Sequence, residues 1–202
     1  MRRYKLYHSQ QDHSADCTKF PFDQIPCRVF LDTNIVNCLV KWRRCVFEME
    51  DPPPDLDSTL LWDIESLMHV FHVGARAQWD IVASHKVIDE LAQTKNGELR
   101  EELLEYGVDL GSYSAFNGND DDHCYADDLA RRLRDSSFVS ALPDINDRDL
   151  IAHAVAYNCD AFCTRDRRSI HSKRDTLGSL PIKILTPAEW WQHIKPWAGL
   201  WS

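Results

Sequence analysis

Four short apolar runs, each separated from the next by helix-length segments, constrain this chain more than any other feature. Cys27–Leu31 (CRVFL), Trp79–Ser84 (WDIVAS), Asp160–Thr164 (DAFCT) and Pro181–Leu185 (PIKIL) read as buried strands, too short for helices. Between them the apolar spacing predicts helices. Ile35, Val36, Leu39 and Val40 share a face after the capping residues Asp32-Thr33-Asn34. Beyond the break at Pro52-Pro53-Pro54, a helix from Ser58 to about Ala75 carries Leu60, Leu61, Ile64, Leu67, Met68 and Phe71 on one side. Val87, Ile88 and Leu91 mark a third helix, and Asp144-Ile145-Asn146-Asp147 opens another from about Arg148 to Tyr157. Thr186-Pro187-Ala188-Glu189 starts the last one, with a Thr cap, Pro at the first helical position and an acid at the third. Strands alternating with helices predict an α/β fold on a largely parallel sheet.

Around this frame, residues 1–24 are polar and aperiodic and read as a tail or a strap over the domain, and 196–202 as a C-terminal tail. Gly107 to Ser137 reads as an acidic insertion. In it, Val108–Phe116 is a short strand or an extended loop, Asn117–Asp122 a turn and a helix start, and Tyr125–Leu133 a helix. With 44% hydrophobic residues, the 202-residue chain can bury one core. No run approaches the apolar length of a membrane span, since even Val29–Val40 is cut by Asp32, Asn34 and Asn37. The opening MRRYKLYHSQQDHS lacks an apolar stretch, so no secretory signal is expected. Seven cysteines with no C-x-x-C spacing fit a reducing, cytoplasmic setting. His69 and His72 have ligand-like spacing, but no third ligand is evident nearby.

In open α/β sheets, sites form outside the carboxyl ends of the strands. Asp32 follows the first run. His85 and then Glu90 follow the second, and Arg165-Asp166 follow the third. Asp149, with Asp144 and Asp147, opens the helix before the third run. Each acid has a simpler role when taken alone. Asp32 and Asp166 can cap helical turns, Glu90 can be a surface residue, and Asp149 can offset a helix dipole. Together they would repel one another unless hard divalent cations with oxygen ligands, Mg²⁺ or Mn²⁺, neutralised them.

The same residues resemble the motifs of the PIN-domain family. Arg28-Val29-Phe30-Leu31-Asp32-Thr33-Asn34 is similar to its opening strand and Asp-Thr-Asn, and Val87-Ile88-Asp89-Glu90-Leu91 to its second motif. Asp147-Arg148-Asp149-Leu150-Ile151-Ala152-His153-Ala154 resembles the third. Cys159–Asp166 resembles the fourth, a strand followed by Thr-x-Asp. Pro181–Trp190 resembles the last strand and helix, so the likeness spans about residues 25–195. It implies a three-layer α/β/α sandwich around a parallel sheet of about five strands. It also implies a nuclease, most often acting on RNA, that uses one or two Mg²⁺ or Mn²⁺ ions. By position the resemblance makes Asp32, Glu90, Asp149 and Asp166 the catalytic metal ligands, with Asn34 and Thr164 supporting them. Asp149 is preferred over Asp147 because the apolar Leu150-Ile151 step follows it directly; Asp147 is then a supporting residue. An antitoxin or another inhibitor protein is a partner by family alone. The length of the insertion and the N-terminal segment depart from compact toxin-type members.

Arg165, Arg167, Arg168, Lys173 and Arg174 form a basic stretch beside Asp166, read as a track for an RNA backbone or as a solvated loop. Trp190, Trp191, Trp197 and Trp201 can pack the last helix, build a homodimer surface or stack bases. Three other readings are set beside the ribonuclease. One is a catalytically silent PIN-like module binding RNA or protein, and one is a DNA-directed nuclease. The third is a haloacid-dehalogenase-type phosphatase, which wants an Asp where Asn34 stands. The net charge of −9 predicts poor nucleic-acid binding without metal.

Overall fold

The first apolar run forms β1, Arg28–Leu31, whose Val29, Phe30 and Leu31 are fully buried. The computed structural model describes residues 7, 9–77, 80–105 and 120–199. The sequence expectations for Val108–Phe116, for Asn117 to Asn119, and for Trp79 and Trp201 lie outside the described residues.

The other runs form β2 (Asp80–Val82), β3 (Ala161–Cys163) and β4 (Lys183–Leu185). Among the described residues they make a four-stranded, all-parallel sheet in the order β2-β1-β3-β4, one strand short of the expected five. Val29 is in register with Ile81 on one side and Ala161 on the other, and Ala161 with Lys183. Side chains buried on both faces explain why the central strands read as continuous apolar runs. Phe30 and Phe162 stack across the β1–β3 pair with ring centroids 5.5 Å apart.

Helices fill the connections. Those before β2 are α2 (Thr33–Lys41), α3 (Arg43–Phe47) and α4 (Ser58–Ala77), and α1 (Gln10–Lys19) precedes the sheet. After β2 come α5 (His85–Leu91), α6 (97–105), α7 (Asp120–Arg134) and α8 (Ile145–Ala156), and α9 (Pro187–Ile194) closes the fold. α4 packs on α3 and α9, while α7 packs on α8 and α8 touches α5, an arrangement compatible with a three-layer sandwich. No helix among the described residues is long and apolar enough to cross a membrane.

Trp190 and Trp191 are buried, Trp191 stacked on His69 at 4.7 Å and Trp190 edge-on to Phe71. Two of the four C-terminal tryptophans are therefore part of the α4–α9 contact rather than an exposed stacking platform. The Thr186 cap accepts from the Glu189 amide at 3.2 Å, and the Glu189 carboxylate accepts from the Thr186 amide at 2.9 Å.

The N-terminal segment is less irregular than its composition suggests. Ser9 caps α1, and Tyr7 donates to Asp16 at 2.6 Å. Lys195 lies 4.1 Å from the Tyr7 ring centre, and Trp197 donates to the Phe20 carbonyl at 2.8 Å. Tyr7 and α1 thus clasp the segment after α9, so 196–199 is held against α1 rather than trailing as a tail.

Candidate active site

The chain crosses from β1 to β2 on one side and returns to β3 on the other, so the sheet's switch point lies between β1 and β3. At such a point the carboxyl ends of the strands diverge and leave room for a ligand. Asp32 leaves β1 here and Thr164 leaves β3, their backbones tied by the Asp32 amide to the Cys163 carbonyl at 3.0 Å.

Asp32 occupies the N-cap position of α2, yet its side chain makes no capping bond. Its Oδ2 instead accepts from Asn34 Nδ2 and from Thr164 Oγ1, each at 2.5 Å. Thr164 Oγ1 in turn accepts from the Asp166 amide at 2.9 Å, and Asn34 Oδ1 from the Arg165 amide at 2.8 Å. Asn34 and Thr164 thereby aim the Asp32 carboxylate and brace the turn after β3. Glu90, on α5, accepts from Thr33 Oγ1 at 2.5 Å.

Burial pushes Asp32 up to about 7, the Thr164 hydrogen bond opposes this, and the charges of Glu90 and Asp147 add to it. Asp147 is pushed up to about 6, again chiefly by burial, partly relieved by Ser169, with Asp144, Asp166 and Glu90 as its repelling neighbours. Asp166 moves the other way. Burial works against its charge, but Ser169 Oγ at 2.5 Å and the amides of Arg168 and Ser169 hold it below the usual range. It therefore both caps the following turn and faces Asp147.

Asp32 thus lies in the field of Glu90 and Asp147, and Asp147 in that of Asp144, Asp166 and Glu90, whereas Asp149 is engaged elsewhere. Asp149 pairs with Lys86 at 3.4 Å and Arg134 at 3.9 Å, on the side facing α5 and α7. The reason is the start of α8. Asp144 caps it by accepting from the Asn146 amide at 2.9 Å, so the helix begins at Ile145, about three residues earlier than the sequence expectation. Two residues apart on a helix means about 200° around the axis, so Asp147 and Asp149 cannot face the same way. Asp147 is the α8 acid that neighbours Asp32, whereas the sequence reading preferred Asp149. The cap at Asp144 was the signal that fixes this phase.

The basic stretch is also redistributed. Arg167 grips fully buried Asp63 of α4 with two nitrogens, at 2.7 and 3.0 Å, and Arg165 reaches the same carboxylate at 3.1 Å. Arg174 pairs with Glu189 at 2.5 Å. Three of the five cations proposed to track RNA are thus paired with acids of the protein, Arg174 from an exposed position, and Arg168 and Lys173 are exposed as well.

One group that can hold a metal ion was not foreseen: His85, Asp127 and His153, whose ligand atoms all lie within 4.8 Å of one another. It draws on α5, α7 and α8, and no sequence spacing links its members. No family model, no curated protein and no solved structure matches the chain.

Proposed function

We propose that the chain is a divalent-metal-dependent ribonuclease of the PIN-domain type, with Asp32, Glu90, Asp147 and Asp166 holding one or two Mg²⁺ or Mn²⁺ ions. The observation carrying this reading is the mutual repulsion at the switch point. Burial chiefly, with neighbouring carboxylates adding to it, raises Asp32 to about 7 and half-buried Asp147 to about 6, a condition a cation relieves. The donors are all oxygens, which suits hard cations over zinc or copper. Such ions supply an activated water and stabilise charge on a phosphodiester.

The chain's own residues have separate tasks in this scheme. Asn34 and Thr164 keep one Asp32 oxygen occupied, leaving the other to face the ligand. Thr33 orients Glu90, and Ser169 supports Asp166. Lys86 and Arg134 compensate Asp149, which stays outside the reaction. RNA is the substrate class implied by the family resemblance, and exposed Arg168 and Lys173 are suited to contact its backbone.

Labelled single-stranded RNA, structured RNA and DNA incubated with Mg²⁺, Mn²⁺ or EDTA test the proposal. Metal-dependent RNA cleavage should be lost in Asp32→Asn and Asp147→Asn. Cleavage that persists in both variants would contradict it.

A further inference from the structure

Buried His153 donates from Nδ1 to the Asp149 carbonyl at 2.7 Å, since a carbonyl only accepts. In the neutral ring this leaves a lone pair on Nε2. That nitrogen faces Asp127 Oδ1 at 3.5 Å, and the Oδ1 is itself buried with no hydrogen-bond partner. Two acceptors facing each other in a buried position are unfavourable unless a proton or a metal cation lies between them. The third member, His85, brings its ring to 5.2 Å from that of His153, centre to centre and nearly perpendicular. From these contacts we infer a zinc site formed by His85, Asp127 and His153, separate from the carboxylates at the switch point.

Two imidazoles and one carboxylate form a donor set for Zn²⁺ and its borderline neighbours rather than for Mg²⁺. Metal–ligand bonds of about 2.0–2.1 Å in a tetrahedron put the ligand atoms about 3.4 Å apart. The His153–Asp127 pair already has that separation at 3.5 Å, and a His85 ring nitrogen lies within 4.8 Å of both. The His153 bond to a backbone carbonyl is the outer contact that fixes tautomer and ring orientation in zinc sites. Zinc here ties α7, the helix of the acidic insertion, to α8 and to the start of α5, which carries Glu90. Its role is that of a structural clip.

The test uses the full-length chain carrying Asp32→Asn and Asp147→Asn, so that the proposed catalytic cations have no pocket and the outcome is independent of the nuclease reading. After chelator stripping, calorimetric titration with Zn²⁺ should show one equivalent bound per chain. His85→Ala and Asp127→Asn, both on partly exposed side chains, should each weaken binding by at least about 100-fold, the upper end of what losing an outer-shell partner costs. X-ray absorption at the zinc edge of the chain with these three residues intact should show two imidazole ligands. No saturable binding, binding indifferent to both substitutions, or an all-oxygen shell overturns the site.

Discussion

Asp32 and Asp147 show what the candidate site requires of single residues. Both are raised above the ordinary carboxylate value of about 3.8, to about 7 and about 6. Between those values the folded chain binds more protons than the unfolded one. The stabilisation from these two groups is therefore complete below about pH 4 and is lost as pH rises through about 6 to 7. A divalent ion competes with those protons. Mn²⁺ affinity measured by calorimetry should rise by roughly tenfold or more from about pH 5 to about pH 7 and then level off. An affinity that stays flat across this range would mean that neither carboxylate holds the ion. The same scale separates Asp147 from Asp149. The two acids are equivalent as residue types in the sequence and differ by the phase of one helix. A capping residue two positions before Asn146 decides that phase, and apolar pattern alone does not. The Leu150-Ile151 step fixes which face of α8 is buried but leaves the first turn undetermined.

At the scale of elements, the basic segment after β3 is anchored rather than free. Asp63, in the second turn of α4, is fully buried and held by Arg165 and Arg167. This ion-pair group pins the turn carrying Asp166 to the helix beneath it. Removing one partner strands the other charges, at roughly 3–5 kcal/mol for a fully buried pair. Because both arginines are about one-third exposed, Asp63→Ala should cost about 3 kcal/mol, read from urea unfolding. A loss below about 1 kcal/mol would place the group among ordinary surface pairs. Charge density suggested a phosphate track here because a sequence shows cations without their partners. The partner lies a hundred residues upstream, inside a helix whose apolar face hides it. The strands were more legible. All four apolar runs became β-strands; in the central pair, β1 and β3, residues buried on both faces leave a pattern that needs no knowledge of neighbours. The last helix was legible for the same local reason, since Thr186 and Glu189 cap it reciprocally. Nothing comparable announces α1, whose polar sequence is ordered by contacts with Lys195 and Trp197.

For the molecule as a whole, the net charge of −9 opposes a polyanionic partner at long range. Under the proposed function, bound cations reverse that field locally beside exposed Arg168 and Lys173. Filter binding of single-stranded RNA to a slowly cleaved variant such as Glu90→Gln should be weak in EDTA and at least about tenfold tighter in Ca²⁺ or Mn²⁺. Equal binding in both conditions would remove the link between metal and substrate. Cation binding should also stabilise the fold by mass action, by about 2.7 kcal/mol at a hundredfold excess over Kd. The fold class was readable from alternation, and the rule that ligands gather at strand ends pointed to the candidate site. The meeting of α5, α7 and α8 at His85, Asp127 and His153 was not, because it depends on how three helices pack.

The central claim is that Asp147, not Asp149, completes a cation-holding carboxylate group with Asp32, Glu90 and Asp166. Its most direct test is Mn²⁺-dependent RNA cleavage by the wild-type chain, Asp147→Asn and Asp149→Asn, each verified as folded. Asp147→Asn should reduce kcat/KM by about 100-fold or more, equivalent to about 2.7 kcal/mol of lost transition-state stabilisation, while Asp149→Asn should stay within about fivefold. Cleavage abolished by Asp149→Asn and retained by Asp147→Asn would contradict the account.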